Sequence, residues 1–282
     1  MHKCCLPLAV AGLSLISASA FAQSASSSGY ALSVNQTVTA PDVANVNVTV
    51  GPLAPTSGSA PPDYNVSNTV ASVNQTAALT SGVLGTSEQL QTGLLSSNST
   101  GTATGASATA TVNNLSLGIG PTTILTPFLA SIFGIGATTI ESTSSASSGG
   151  LTGSTTIVDL MINGSGLGGF TFSAAGSSTP MPNTVLFMNA LLGISIILNE
   201  QIISGDSITT NAIHVAFNNF AVGTGLKSGD IILGHTQAAF TAGSPPAVPE
   251  PSTWAMMLIG FAAIGASMRR RRRNPLPALQ AV

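Results

Sequence analysis

The segment Thr155-Thr156-Ile157-Val158-Asp159-Leu160-Met161-Ile162, followed by Asn163-Gly164, decides the fold class of this chain. It is rich in β-branched and apolar residues, which favours a strand, and Asn-Gly is a tight-turn signal. Phe170-Thr171-Phe172 has the composition of a strand that returns from the turn. The segment therefore predicts β structure.

The same preference extends from Gln23 to about Gly243, where no apolar stripe repeats at helical spacing over several turns. Asn45–Val50 alternates with a period of two, which places its three valines on one face. Gly and Ser clusters interrupt the strand-like segments at short intervals, as in sandwiches and solenoids. The sequence predicts a single all-β ectodomain over residues 23–243, sandwich or solenoid-like. Further strands are expected at Val66–Val73, Ile194–Asn199, Ile208–Phe217 and Asp230–Leu233.

Two segments leave alternatives open. Ser96–Thr111 is nearly all Ser, Thr, Gly and Ala, so it is either a weak strand pair or a mobile linker. Pro127–Ile135 is either a short helix or a buried strand, because its length does not distinguish them.

Charge is scarce and unevenly placed. Seven Lys or Arg and nine Asp or Glu occur in 282 residues. Between Gln23 and Val248 the only basic residue is Lys227, against eight acids, which gives this part a net charge of −7. A nucleic-acid partner is excluded, because such binders need clustered Lys and Arg. Cysteine occurs only at Cys4 and Cys5, so the rest of the chain has no disulfide, thiol nucleophile or Cys-based metal site.

The N-terminus predicts a secretory signal peptide over residues 1–22. Met-His-Lys supplies a positive start, Leu6–Ile16 is apolar, and Ala20 and Ala22 are the small residues of a cleavage site. We expect cleavage after Ala22. The alternative is an uncleaved membrane anchor.

The C-terminus predicts a membrane-associated segment over residues 244–273 and a short cytoplasmic tail over 274–282. Trp254–Met268 is fifteen residues without a charge, and five arginines follow it. A bilayer span needs about 20 residues, so the residues that flank this fifteen-residue run must extend it if it is a transmembrane helix. The arginines place their end in the cytoplasm and the body outside. A core helix followed by a basic run is the alternative, and a signal peptide disfavours it.

These features together resemble the PEP-CTERM sorting signal of exopolysaccharide-producing Gram-negative bacteria. The resemblance implies an exported precursor held transiently in the inner membrane and recognised by exosortase, its processing partner. It rests on Pro249, Glu250 and Pro251, on Trp254, Gly260 and Gly265 in the helix, and on Arg269, Arg270, Arg271, Arg272 and Arg273.

The body is similar to the choice-of-anchor P domain of bacterial surface proteins. That resemblance implies a β-rich domain at the cell surface or in the extracellular matrix, with no known enzymatic activity. It rests on Thr156–Asp159 with Asn163-Gly164, Pro182–Thr184, Leu198–Gln201, Asn211–Val215, Asp230–Ile232 and Gly234–Ala238.

One motif and one group of residues could form a binding or catalytic site. Gly164–Gly169 formally contains GxGxxG, but a dinucleotide site needs a helix after it, and Phe170-Thr171-Phe172 is strand-like. His214 and His235, with Glu200, Asp206 or Asp230, could form a metal or acid–base site. His214 faces opposite its apolar neighbours Ile213, Val215 and Phe217, so an exposed strand histidine is favoured.

The sequence therefore predicts a protein without cofactor, metal or enzymatic activity. We expect a structural or adhesive component of the cell surface, extracellular matrix or biofilm, associated with exopolysaccharide. The alternative is a secreted hydrolase that acts on polysaccharide or ester substrates through His214 and an acidic partner.

Overall fold

The computed structural model describes residues 23–40, 43–81, 84–123, 132–222, 225–243 and 251–272. The chain divides into two compact units. Gln23–Ala242 forms the first, which we call the β unit, and the described part of the second is a helix.

The β unit is built from strands joined by short connections, with one 3-10 turn at Ser165–Leu167. The strands described are β1 (Ser24–Ala40), β2 (Val43–Leu53), β3 (Thr56–Ala60), β4 (Tyr64–Val70), β5 (Val73–Ser81), β6 (Leu84–Thr92), β7 (Leu95–Thr102), β8 (Gly105–Thr123), β9 (Phe133–Ser147), β10 (Gly150–Asn163), β11 (Thr171–Ser178), β12 (Thr184–Asn189), β13 (Ile194–Ser204), β14 (Ser207–Val222) and β15 (Gly225–Thr241).

Two antiparallel sheets contain these strands. Sheet A has the order β12-β13-β14-β15-β1-β2, and β3 pairs with β1 beyond the end of β2. Sheet B has the order β11-β10-β9-β8-β6-β5; β7 pairs with another part of β8, and β4 pairs with β7. Every strand pair is antiparallel, as short turns between successive strands require. The fold is thus all-β with sandwich-like sheets, and of the two predicted architectures the sandwich is the one observed.

Alternate residues of both sheets face each other and form the core. Leu32 and Ile213 from sheet A and Ile140 and Ile157 from sheet B belong to one buried cluster, and each is completely inaccessible to solvent. This is the result that period-two alternation predicts for strands with one buried face. Each such side chain contributes about 1.5–3 kcal/mol by leaving water.

The Ser/Thr/Ala-rich stretch is a strand pair, not a linker. It forms β7 and the first part of β8, and alternate residues of β7 are buried. Its hydroxyl groups join the two sheets: Thr56 of sheet A lies 2.9 Å from both Ser97 and Ser99 of sheet B. Ser144 of sheet B also joins the two sheets, because its hydroxyl donates a hydrogen bond to Thr210 of sheet A at 2.9 Å. Hydrogen bonds thus satisfy polar groups that would be costly to bury alone.

Most strand predictions are confirmed, with differences at their ends. Thr155–Ile162 lies within β10, but Asn163-Gly164 does not form a two-residue hairpin turn. The connection to β11 includes a 3-10 turn, and the glycines of Gly164–Gly169 belong to this connection, with a strand after them. Asp230–Leu233 is the centre of the much longer β15. Residues 133–135 begin β9, and residues 127–131 of the ambiguous segment lie outside the described residues.

The helix of the second unit, α1, covers Pro251–Arg272. Proline suits the first turn of a helix, where its missing N–H has no intrahelical partner. The prediction that this helix spans a bilayer is not supported, since no helix in the described residues is long and apolar enough to do so. Its charge-free apolar run ends after fifteen residues, at Met268, and arginines complete the helix.

Candidate functional site

Polar side chains from four neighbouring strands meet on the outer face of sheet A. Glu200 of β13 opposes Asn211 of β14, Asn211 opposes His235 of β15, and His235 opposes Tyr30 of β1. His214 and Asp230 lie beside this row. We call the six residues the polar cluster: Tyr30, Glu200, Asn211, His214, Asp230 and His235.

At one level of sheet A the alternation of side chains reverses on all four strands, and this reversal places the cluster on the outer face. Each strand has one residue between a core position and the cluster: Asn199, Ala212, Gly234 and Ala31. The strand register is the same on both sides of these residues, so they are not β-bulges. Asn199 and Gly234 have φ angles of 50° and 63°. Strict alternation would direct Glu200 into the core, because Leu198 is a core residue.

Glu200 and His214 form the charged centre of the cluster. Glu200 Oε2 accepts hydrogen bonds from Asn211 Nδ2 at 2.7 Å and from His214 Nδ1 at 2.9 Å. His214 Nε2 lies 3.1 Å from Asp230 Oδ1, so both ring nitrogens face carboxylates and both donate when the imidazole is protonated. The hydrogen bond to Glu200 raises the pKa of His214, and the same bond lowers the pKa of Glu200.

The pKa of His235 is shifted in the opposite direction to that of His214. Because the Asn211 amide nitrogen donates to Glu200, its oxygen Oδ1 faces His235 Nδ1, at 2.7 Å, and accepts a hydrogen bond there. Burial lowers the pKa of His235 to about 4. The Tyr30 ring stacks on the imidazole with 4.3 Å between centroids and 13° between planes, and burial raises the pKa of the Tyr30 phenol.

A groove of about 480 Å³ begins at the stacked rings of Tyr30 and His235 and includes Pro55, Thr56 and Val66 in its wall. Glu200, His214 and Asp230 do not line it. The structure therefore joins His214 to two carboxylates, but it does not place them in this groove. Asp206, the other acid considered with the histidines, lies in the turn between β13 and β14.

The described residues contain no group of three or more His, Cys, Asp or Glu side chains arranged to hold a metal ion. In the polar cluster, both ring nitrogens of His214 already face carboxylates at 2.9 and 3.1 Å. A metal ion would have to replace those hydrogen bonds.

Lys227 occupies a position that sequence reasoning did not predict. Its side chain is only 2% exposed, and its Nζ lies 2.5 Å from Glu88 Oε2 and 5.3 Å from the centroid of the Phe217 ring. Lys227 belongs to sheet A and Glu88 to sheet B, so the ion pair connects the two layers. The only signal in the sequence was that this lysine stands alone among acids.

Burial of Lys227 removes the one basic side chain from the surface of the described β unit. Apart from the partly exposed His214, which lies between two carboxylates, what remains exposed there is acidic or neutral, so the local surface charge is more one-sided than the composition indicates. The exposed acids are Asp63, Glu141, Asp159, Asp206 and Asp230.

The predicted sorting residues lie partly in the described helix. Pro251 is its first residue, and Arg271 and Arg272 end it. Trp254, Gly260, Gly265, Arg269 and Arg270 are exposed along its length. The predicted cleavage residues Ala20 and Ala22, together with Pro249, Glu250 and Arg273, lie outside the described residues.

Comparison with known families identifies a sorting motif in one segment of the chain. Residues 247–273 match the PEP-CTERM protein-sorting motif. The motif implies an exported protein that is anchored at the membrane before processing and is sorted by an exosortase system. No curated protein and no solved structure matches the chain. The resemblance of the body to the choice-of-anchor P domain is not shown by these comparisons.

Proposed function

We propose that the β unit is a structural or adhesive component of the cell surface or extracellular matrix, released there after exosortase processing. The observation that carries this proposal is the sorting motif at residues 247–273 of a chain whose body is a β sandwich. As an expectation from the sequence, the signal peptide over residues 1–22 begins the export, and the body acts as a choice-of-anchor P-like domain.

The surface of the β unit supports a neutral exopolysaccharide as the associated partner. In the described β unit the fully exposed ionisable groups are acids, the partly exposed His214 lies between two carboxylates and the sole lysine is buried, so an acidic polysaccharide would be repelled. Hydroxyl and amide side chains such as Ser28, Thr37 and Asn47 line the outer surface of β1 and β2, and they hydrogen-bond sugars without charge.

The sorting step is tested by replacing Pro249, Glu250 and Pro251 with alanine in the native host. We expect the variant to accumulate in the inner membrane, as the wild-type protein should in a strain without exosortase. A matched control replaces Pro245 and Pro246, which lie outside the matched segment. Normal release of the triple variant would contradict the proposal.

The partner is tested by co-sedimentation of the processed protein, released from the native host without Arg269–Arg273, with a neutral and an acidic bacterial exopolysaccharide. We expect the protein to sediment with the neutral polymer only, and the difference to shrink at high salt, because screening weakens repulsion. Equal recovery with both polymers, or recovery with neither, would contradict a neutral polysaccharide partner.

A hydrolase remains the second candidate, because His214 lies within 2.9 Å of Glu200 and 3.1 Å of Asp230. An imidazole between two carboxylates is able to transfer protons. The test is turnover of polysaccharide and ester substrates by the wild type and by the His214→Ala and His235→Ala variants. Circular dichroism checks that each variant is folded. Turnover that is absent in the wild type, or unchanged in both variants, would remove this candidate.

A further inference from the structure

The groove beside Tyr30 lies where one edge of β1 loses its strand partner. β2 pairs with β1 as far as Leu32, and the pairing of β3 with β1 starts at Gly29. Within the described residues, Tyr30 and Ala31 therefore have no strand partner on this edge. Between β2 and β3 the chain turns at Ala54, which has a φ of 52°. The groove at this interruption has a volume of about 480 Å³, within the range of roughly 300–1,000 Å³ that is typical of small-ligand sites.

His235 lines the groove and has one ring nitrogen without a protein partner. Its Nδ1 lies 2.7 Å from Asn211 Oδ1, and the amide nitrogen of Asn211 donates to Glu200 at 2.7 Å. The Asn211 amide cannot reverse without losing that bond, so the neutral imidazole carries its proton on Nδ1 and its lone pair on Nε2. No described residue donates a hydrogen bond to this Nε2. The stacked ring of Tyr30 holds the imidazole in place, so the acceptor has a fixed direction.

The lining of the groove determines which ligands fit. Of the described residues, only His235 and Tyr30 bring an ionisable side chain to it, so an ion would find no opposite charge there. Pro55 and Val66 give it apolar surface, and the hydroxyl of Ser57 is exposed beside them. A wholly apolar ligand would leave the partly buried His235 acceptor unsatisfied. The ligand that fits is neutral, carries hydrogen-bond donors and has an apolar face, and a sugar ring combines these with its hydroxyl groups and its C–H groups.

We propose that this groove binds one sugar unit of a neutral polysaccharide, and that a sugar hydroxyl donates a hydrogen bond to His235 Nε2. The C–H groups of the sugar ring lie against Pro55 and Val66. An extended peptide also has donors, but β1 lacks a partner at only two residues here, too few for the addition of a peptide strand. The inference rests on the proposed polysaccharide partner and adds the place where that partner binds.

The first test is co-sedimentation of the processed protein, released from the native host, with the neutral exopolysaccharide used above. Ser57→Arg fills the groove from an exposed position, and the matched control Thr152→Arg adds the same side chain at an exposed position of β10 in sheet B. His235→Phe keeps a ring beside Tyr30 but removes the acceptor. We expect the affinity to fall by about 10-fold or more for Ser57→Arg and His235→Phe and to stay unchanged for Thr152→Arg. Circular dichroism checks that each variant is folded.

NMR of the histidine ring nitrogens in the wild type keeps the proposal falsifiable if a variant does not fold. We expect oligosaccharides cut from the same polymer to shift the Nε2 signal of His235 but not the signals of His214, which does not line the groove. A wild type that binds no neutral polymer would overturn the proposed partner and this site together.

Two other results would overturn the site and leave the polysaccharide partner standing. One is binding of the polymer that neither Ser57→Arg nor His235→Phe weakens. The other is a His235 signal that the oligosaccharides do not shift, whether or not an added neutral peptide shifts it.

Discussion

Replacement of Lys227 by methionine tests how the two sheets are held together at the buried ion pair. The side chains of Lys227 and Glu88 are 2% and 10% exposed, and their charged atoms lie 2.5 Å apart. Burial lowers the pKa of Lys227, while the nearby carboxylate of Glu88 opposes that shift and favours the ammonium form. Each charge is therefore stable in this position because the other is present.

The Lys227→Met variant keeps an apolar side chain of similar length but leaves Glu88 without its partner. Removing one member of a buried pair costs about 3–5 kcal/mol of unfolding free energy. The Lys227→Met/Glu88→Leu double variant removes both charges, and an apolar replacement of this kind is often neutral or stabilising by about 1–4 kcal/mol. We therefore expect the single variant to be markedly less stable than the double variant.

Urea denaturation of the β unit, followed by far-UV circular dichroism, measures these differences. The Asp206→Asn variant serves as a control, because Asp206 is exposed in a turn and its replacement should change stability by no more than about 0.5 kcal/mol. The reasoning is refuted if the single and double variants lose the same stability. It is also refuted if the single variant is as stable as the wild type.

Two further predictions concern the pH dependence of stability and close packing. The pKa of His235 is about 4, below its ordinary value of 6.5, so the contribution of His235 to stability is complete above pH 6.5 and falls by about 2 kcal/mol near pH 5; urea denaturation of the wild type and a His235→Gln variant across this range checks it, and identical pH profiles of the two proteins contradict it. The pKa of His214 is raised, so its contribution is complete below pH 6.5 and is lost as pH rises through the folded-state pKa; an NMR titration midpoint at or below 6.5 would contradict this. A Cβ at Gly101 would collide with the Tyr64 ring, so Gly101→Ala should destabilise the β unit by about 1–3 kcal/mol, whereas a Cβ at Gly120 meets no atom of the described residues within 4 Å, so Gly120→Ala should not destabilise it by collision with them.

Strand identity was predictable where side chains alternate without interruption. Asn45–Val50 lies in β2, because a period of two matches the pleat of a half-buried strand. Ile208–Phe217 lies in β14 as predicted, although its alternation reverses at Ala212. Ser96–Thr111 was ambiguous, since small polar residues carry no strong strand preference. Its burial depends on hydroxyl partners such as Thr56, which comes from a distant part of the chain.

The candidate site was only partly predictable. Alternation placed His214 opposite Ile213 and Val215, and the structure shows both of these buried and His214 half-exposed. The same rule fails for Glu200 and His235, because the alternation of side chains reverses at Asn199 and Gly234 while the strand register stays unchanged. No local pattern in the sequence predicts that this reversal occurs at the same level on four strands.

The sequence by itself determined that this protein carries a sorting motif and which class of fold it adopts. A sorting motif is read by its linear order of residues, so Pro249, Glu250, Pro251, the helix and the arginines are recognisable without a structure. The preference of a segment for strand structure likewise depends on residues that are close together in the sequence. Only the tertiary structure decided that Lys227 is a buried partner of Glu88, that His214 lies between two carboxylates, and that β12 is left at an edge. Those outcomes depend on which strands become neighbours, and strand pairing joins residues that are far apart in the chain.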